Sequence, residues 1–156
     1  MYTIKGGDYD GNKICAFRGT DSFMGGVQDI DVVIGGSTGI IREVIGWAVQ
    51  HARNNDANFI CGHSLGGLIA ECVCAHTGIR GAAFNAPGPW AASGNNLVDG
   101  NNYNHVPFEI HNTEGDVVSL FGSAGGPNSS HIGKLKWHKH GGGHAMAALR
   151  AEIGNL

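Results

Sequence analysis

Long apolar runs are missing from this chain: no stretch of its 156 residues reaches the length of a membrane-spanning helix. The N-terminal MYTIKGGDYDGN also lacks the charged and apolar blocks of a signal peptide. Positive charge is scarce, with ten Lys and Arg against thirteen Asp and Glu and a formal net charge of -3. Apart from the short group Lys134, Lys136 and Lys139 the basic residues are scattered, so no field for nucleic acid exists. Four cysteines make no framework. Cys72 and Cys74 stand two apart in a helical pattern and point in different directions, and their spacing matches no zinc ribbon. Cys15, Cys61, Cys72 and Cys74 are expected as free thiols, mostly buried, which favours a reducing, cytoplasmic setting.

What the chain has in quantity is glycine, 27 residues of it. Its length predicts one domain over residues 1–156, enough to hide about two thirds of the unfolded surface. Strand-like and helix-like segments alternate. YTIK and KICAFRG predict a hairpin across GGDYDGN, a turn rich in Gly, Asp and Asn. DIDVVIGG is a third apolar segment. TGIIREVIGWAVQHARNN carries Ile40, Ile41, Val44, Ile45, Ala48 and Val49 at helical spacing, with Thr38 as its cap. ANFIC predicts a strand, LGGLIAECVCAH a helix ending near Thr77 and Gly78, IRGAAFNAPG and VPFEIHN two more strands, and AMAALRAEIG a closing helix. The segments 88–105 and 121–143 read as long loops. The pattern predicts an α/β fold: a compact, α/β-hydrolase-like, mostly parallel sheet with an N-terminal antiparallel hairpin and helices on both faces.

One stretch carries chemistry. Gly62-His63-Ser64-Leu65-Gly66 fits G-x-S-x-G, and it lies between an apolar strand and a helix, the setting of a nucleophile elbow. Gly62, Gly66 and Gly67 relieve crowding at such a turn. A serine hydroxyl needs a general base, and the base needs an acid to fix its tautomer. Elbow enzymes supply them in the order Ser, acid, His. Of the later acids, Asp116 follows the strand PFEIHN at the C-terminal edge of the sheet, where catalytic groups collect, with Glu114 as substitute. Of nine histidines, His63 belongs to the elbow, with its side chain pointing away from that of the serine. His51 and His76 sit near helix ends. His144 follows a glycine-rich loop and is the favoured base, with His140 next. The backbone N–H of Leu65 opens the helix and is the first oxyanion donor. Thr20, at the turn after ICAFRG, is the second.

Alternatives stay open at this level. His138, His140 and His144 together suggest a metal-dependent hydrolase, although their spacing is not H-E-x-x-H and no carboxylate completes a site. A degenerate hydrolase fold kept as a non-catalytic binding module is the other. No cofactor and no metal are expected for the serine mechanism.

AFRGT from Ala16, GHSLGG from Gly62 and FNAPG from Phe84 resemble the class 3 lipases, a branch of the α/β-hydrolases. DIDVVI after the first motif is similar to the stretch that follows F-R-G-T there. The resemblance covers roughly the first 90 residues and is looser beyond them. It implies ester hydrolysis through an acyl-enzyme, with Ser64 as nucleophile and Thr20 in the oxyanion hole. An Asp and then a His in the C-terminal part are consistent with Asp116 and His144. The implied partner is a small-molecule or lipid ester, with contact to a lipid surface. Phe23 and Met24 suit a short lid, and Trp90 and Trp137, in the two long loops, suit the mouth of an acyl groove. The chain is much shorter than the best-known members and leaves little room for a large lid.

Overall fold

The computed structural model describes residues 1–19, 38–89, 97–98, 106–116, 118–120, 131–139 and 144. Among these residues six strands form one sheet: β1 (Tyr2–Thr3), β2 (Lys13–Phe17), β3 (Phe59–His63), β4 (Gly81–Phe84), β5 (Phe108–Thr113) and β6 (Lys134–His138). Their order across the sheet is their order along the chain. β1 and β2 pair antiparallel, with Tyr2 opposite Ile14. All other pairs are parallel, as in Ile14↔Phe59, Ile60↔Gly81, Gly81↔Phe108 and Glu109↔Lys134. The expected hairpin and mostly parallel sheet are therefore present, and a short 3-10 turn at Gly7–Tyr9 occupies the hairpin connection.

Two helices are described, α1 (Thr38–Asn54) and α2 (Leu65–Thr77), and they pack on each other. α2 ends because Gly78 takes the left-handed conformation, φ 72°, and returns its N–H to the carbonyl of Cys74. The pleat sorts the strand residues into two faces. Cys15, Ile60, Ala83, Phe108 and Ile110 point one way and join Ile41, Ile45, Ala48 and Ala52 of α1 and Leu68, Ile69, Cys72 and Val73 of α2 in a single core. Ile14, Phe59, Cys61, Phe84, Glu109 and His111 point the other way and are only half-buried. Among the described residues, helices cover one face. The expected closing helix lies outside the described residues, as does DIDVVIGG.

The apolar residues of α1 divide into two stripes. Ile41, Ile45 and Ala48 enter the core, whereas Ile40, Val44 and Trp47 face outward, with Trp47 stacked on His51 at 5.0 Å. β6 corrects the sequence reading, which left 121–143 as loop. Lys134-Leu135-Lys136-Trp137-His138 alternates with period two, and Leu135 packs against the core while Lys134 stays exposed. Trp137 therefore lies in a strand, in register with Asn112, and not in a loop.

Candidate active site

Every element of the elbow is built by close approach. β3 ends at His63, and α2 starts at Leu65, so Ser64 alone makes the turn. It does so at φ 58° and ψ -131°, a conformation costly for any residue with a side chain and concentrated at functional sites. Neighbouring glycines make that turn sterically feasible. A Cβ at Gly62 would stand 2.1 Å from the carbonyl oxygen of Gly66, one at Gly66 would stand 2.2 Å from that of Phe17, and one at Gly67 would meet the Ala86 methyl at 2.7 Å. Gly19, at the end of the AFRGT motif, abuts the serine itself: a Cβ there would lie 3.1 Å from Ser64 Cβ and 3.7 Å from its Oγ. The glycine of the first sequence motif thus lies against the serine of the second.

Ser64 is 2% exposed. Its Oγ is buried and makes no hydrogen bond to any described residue. Gly67 and Leu68 donate to its carbonyl at 2.9 and 3.2 Å. Leu65 is the first helical residue, so its N–H has no intrahelical acceptor and stands at the positive end of the helix. Thr20, Phe23, Met24, Trp90 and His140 lie outside the described residues.

Asp116 and His144 come together. Nδ1 of His144 lies 3.1 Å from Oδ2 and 3.2 Å from Oδ1 of Asp116, whose side chain is fully buried. The Asp116 carboxylate also accepts from Ser119 Oγ at 2.6 Å and from the Val118 N–H at 3.1 Å. Burial alone would push this carboxyl up; the bonds from His144, Ser119 and Val118 outweigh it and hold the pKa below 3.8. The acid is thus kept ionised, and Nδ1 of His144 carries the proton that it accepts. Nε2, the other ring nitrogen, is buried as well. Glu114, the alternative acid, is exposed and contributes its backbone N–H to the carbonyl of His138.

Two residues at this site were not singled out in the sequence. His63 Nε2–H donates to the carbonyl oxygen of His144 at 2.7 Å, and its ring lies against the His144 ring with centroids 4.6 Å apart. Asn85 is fully buried at φ 45°. Its Oδ1 accepts from the N–H and Oγ1 of Thr113 at 2.9 and 3.0 Å, and its Nδ2 donates to the same His144 carbonyl at 3.4 Å. Its place in FNAPG, directly after β4, was the available signal.

His131, His138 and His111 make other contacts. His131 Nδ1–H donates to the buried Glu71 at 3.1 and 3.2 Å. His138, one of the three histidines considered for a metal, lies on β6 with Nε2 at 3.0 Å from His111 Nδ1, and His111 in turn contacts Glu109 at 3.3 Å. Among the described residues no group of three or more His, Cys, Asp or Glu has metal-binding geometry. Cys15, Cys72 and Cys74 are buried free thiols and Cys61 is half-buried; burial pushes Cys74 up to about 12. No described helix is long and apolar enough to cross a membrane. No family model, no curated protein and no solved structure matches the chain.

Proposed function

We propose that this chain is a serine ester hydrolase of the α/β-hydrolase type, similar to the class 3 lipases, acting through an acyl-enzyme. One observation carries the reading. A serine held in a strained turn between β3 and α2 is followed in sequence by an ionised, buried aspartate and by a histidine bonded to it. That histidine touches residue 63, the immediate neighbour of the serine.

In this mechanism His144 Nε2 takes the proton from Ser64 Oγ as the oxygen attacks the ester carbonyl. Asp116 keeps the imidazole in the tautomer with its proton on Nδ1 and stabilises the imidazolium that forms. The tetrahedral oxyanion is met by the N–H of Leu65 and, in the family resemblance, by that of Thr20, the residue after Gly19. Collapse of the intermediate expels the alcohol, which receives the proton from His144. Water then hydrolyses the acyl-enzyme by the same steps. The substrate is a carboxylic ester, with lipid or other acyl esters favoured by the resemblance of the motifs. Phe23, Met24, Trp90 and Trp137 are the residues assigned to the acyl side.

The test is hydrolysis of p-nitrophenyl esters from short to long acyl chain, together with labelling by a fluorophosphonate. Wild type is expected to turn over and to label at Ser64. Ser64→Ala is expected to lose up to about a millionfold in rate while remaining folded. EDTA is expected to leave the rate unchanged; loss on chelation with recovery on zinc would move the chemistry to a metal. A folded protein that neither turns over nor labels would leave a binding module.

A further inference from the structure

We propose that His63 and Asn85 are positioning residues that hold the general base by clamping the backbone carbonyl of His144; this rests on the serine-hydrolase reading. The need for a clamp is written in the sequence. Gly141, Gly142 and Gly143 directly precede His144. Glycine restricts its backbone less than any other residue, so the sequence before the base does nothing to fix it. A base displaced by about 1 Å loses roughly a hundredfold in rate.

The carbonyl oxygen of His144 has two lone pairs, and among the described residues His63 and Asn85 both donate to it. His63 Nε2–H does so at 2.7 Å, and Asn85 Nδ2 at 3.4 Å. Neither donor is free to turn away. Asn85 has its Oδ1 committed to the N–H and hydroxyl of Thr113, so its amide orientation is set and Nδ2 faces His144. His63 sits at the last position of β3, and its ring rests on the ring of His144. His144 is thereby fixed at both ends, its imidazole by Asp116 and its main chain by the pair. The two anchors lie at the end of β3, which leads into the serine turn, and just after β4, whose Phe84 carbonyl accepts the Ser64 N–H at 3.0 Å, so nucleophile and base share one frame.

The chemistry also suits a histidine at position 63. Burial lowers its pKa, so it stays neutral at neutral pH and still presents an Nε2–H. A charged ring at this distance would oppose the imidazolium that His144 becomes during the reaction.

The experiment compares His63→Phe, which keeps an aromatic ring on His144 and removes the donor, with His63→Gln, which restores an N–H donor. In wild type, kcat should exceed that of His63→Phe about 10- to 100-fold with KM within twofold, and His63→Gln should recover part of the loss. In a His144→Ala background, His63→Phe should cost nothing further, because it acts through His144. NMR should find a downfield Nδ1–H of His144 in wild type, broadened by exchange in His63→Phe. If His63→Phe does not fold, Asn85→Asp, which keeps the acceptor and removes the donor, carries the same comparisons. An unchanged kcat, or an equal proportional loss without His144, overturns the clamp while Ser64-dependent hydrolysis stands. Absence of hydrolysis and of Ser64 labelling overturns the hydrolase reading instead. The clamp is then judged by NMR alone, and an equally sharp Nδ1–H in wild type and variant rejects it.

Discussion

Glu71 and His131, sixty residues apart in the chain, form a buried pair with side chains 0% and 2% exposed. Glu71 projects from α2, two turns below the serine, and also accepts the Ile132 N–H at 2.6 Å. Nε2 of His131 lies 3.5 Å from Nδ2 of Asn112, whose Oδ1 accepts the Ala86 N–H at 3.2 Å. One carboxylate thus ties the nucleophile helix to the segment entering β6 and, through it, to the ends of β4 and β5. Glu71→Ala leaves the Ile132 N–H and the His131 Nδ1–H without their acceptor, each at about 1–3 kcal/mol. A loss of at least about 3 kcal/mol is expected in urea unfolding, far more than for any exposed carboxylate, such as Glu114.

Asp116→Asn is expected to lower kcat by up to about ten-thousandfold, because an amide holds the imidazole in the wrong tautomer. His144→Ala should cost at least as much, since the three residues act as a unit. Glu114→Gln, at an exposed position, and His140→Ala should each stay within a few-fold of wild type. Steady-state kinetics on one ester, with circular dichroism to confirm folding, decides among them.

Asp116 also sets an acid limit. Its folded-state pKa is depressed below 3.8. The stability it contributes is therefore fully present above the unfolded value and is lost as pH falls through the folded one. Unfolding free energy followed down through that range should fall less steeply in Asp116→Asn than in wild type.

Two glycines in helices should answer an alanine scan with opposite signs. At Gly46 in α1 an added Cβ meets nothing within 4 Å, so Gly46→Ala should stabilise by about 0.5–1 kcal/mol. At Gly66 in α2 it meets the Phe17 backbone at 2.2 Å, so Gly66→Ala should destabilise by at least about 1–3 kcal/mol. Thermal midpoints of the two variants measure both.

The α/β alternation, the hairpin, the position of the elbow and the pairing of Asp116 with His144 were legible because each rests on local pattern or chain order. β6 was not, although Lys134, Leu135, Lys136, Trp137 and His138 alternate, because Gly133 and the glycines after His138 gave the whole segment the look of a loop. Two apolar stripes on one helix cannot be ranked by periodicity; packing against α2 selected Ile41 and Ile45 over Ile40 and Val44. His63 was passed over because strand alternation says only that it points away from the serine. What it points toward is supplied by residue 144, which no local pattern brings near. Asn85 and Glu71 were hidden for the same reason, as their partners are 59 and 60 positions distant.

The sheet repeats the sequence order strand by strand, and this bears on how the molecule comes into being. Among the described strands each new one finds its neighbour already made during synthesis, so this sheet extends outward from its N-terminal edge. The Ser64 turn belongs to the middle of that growth, and His131, the partner of Glu71, and His144 come later. On the proposed mechanism, a nascent chain halted after β4 would carry the Ser64 turn without its acid and base, since residues 116 and 144 have not yet been made.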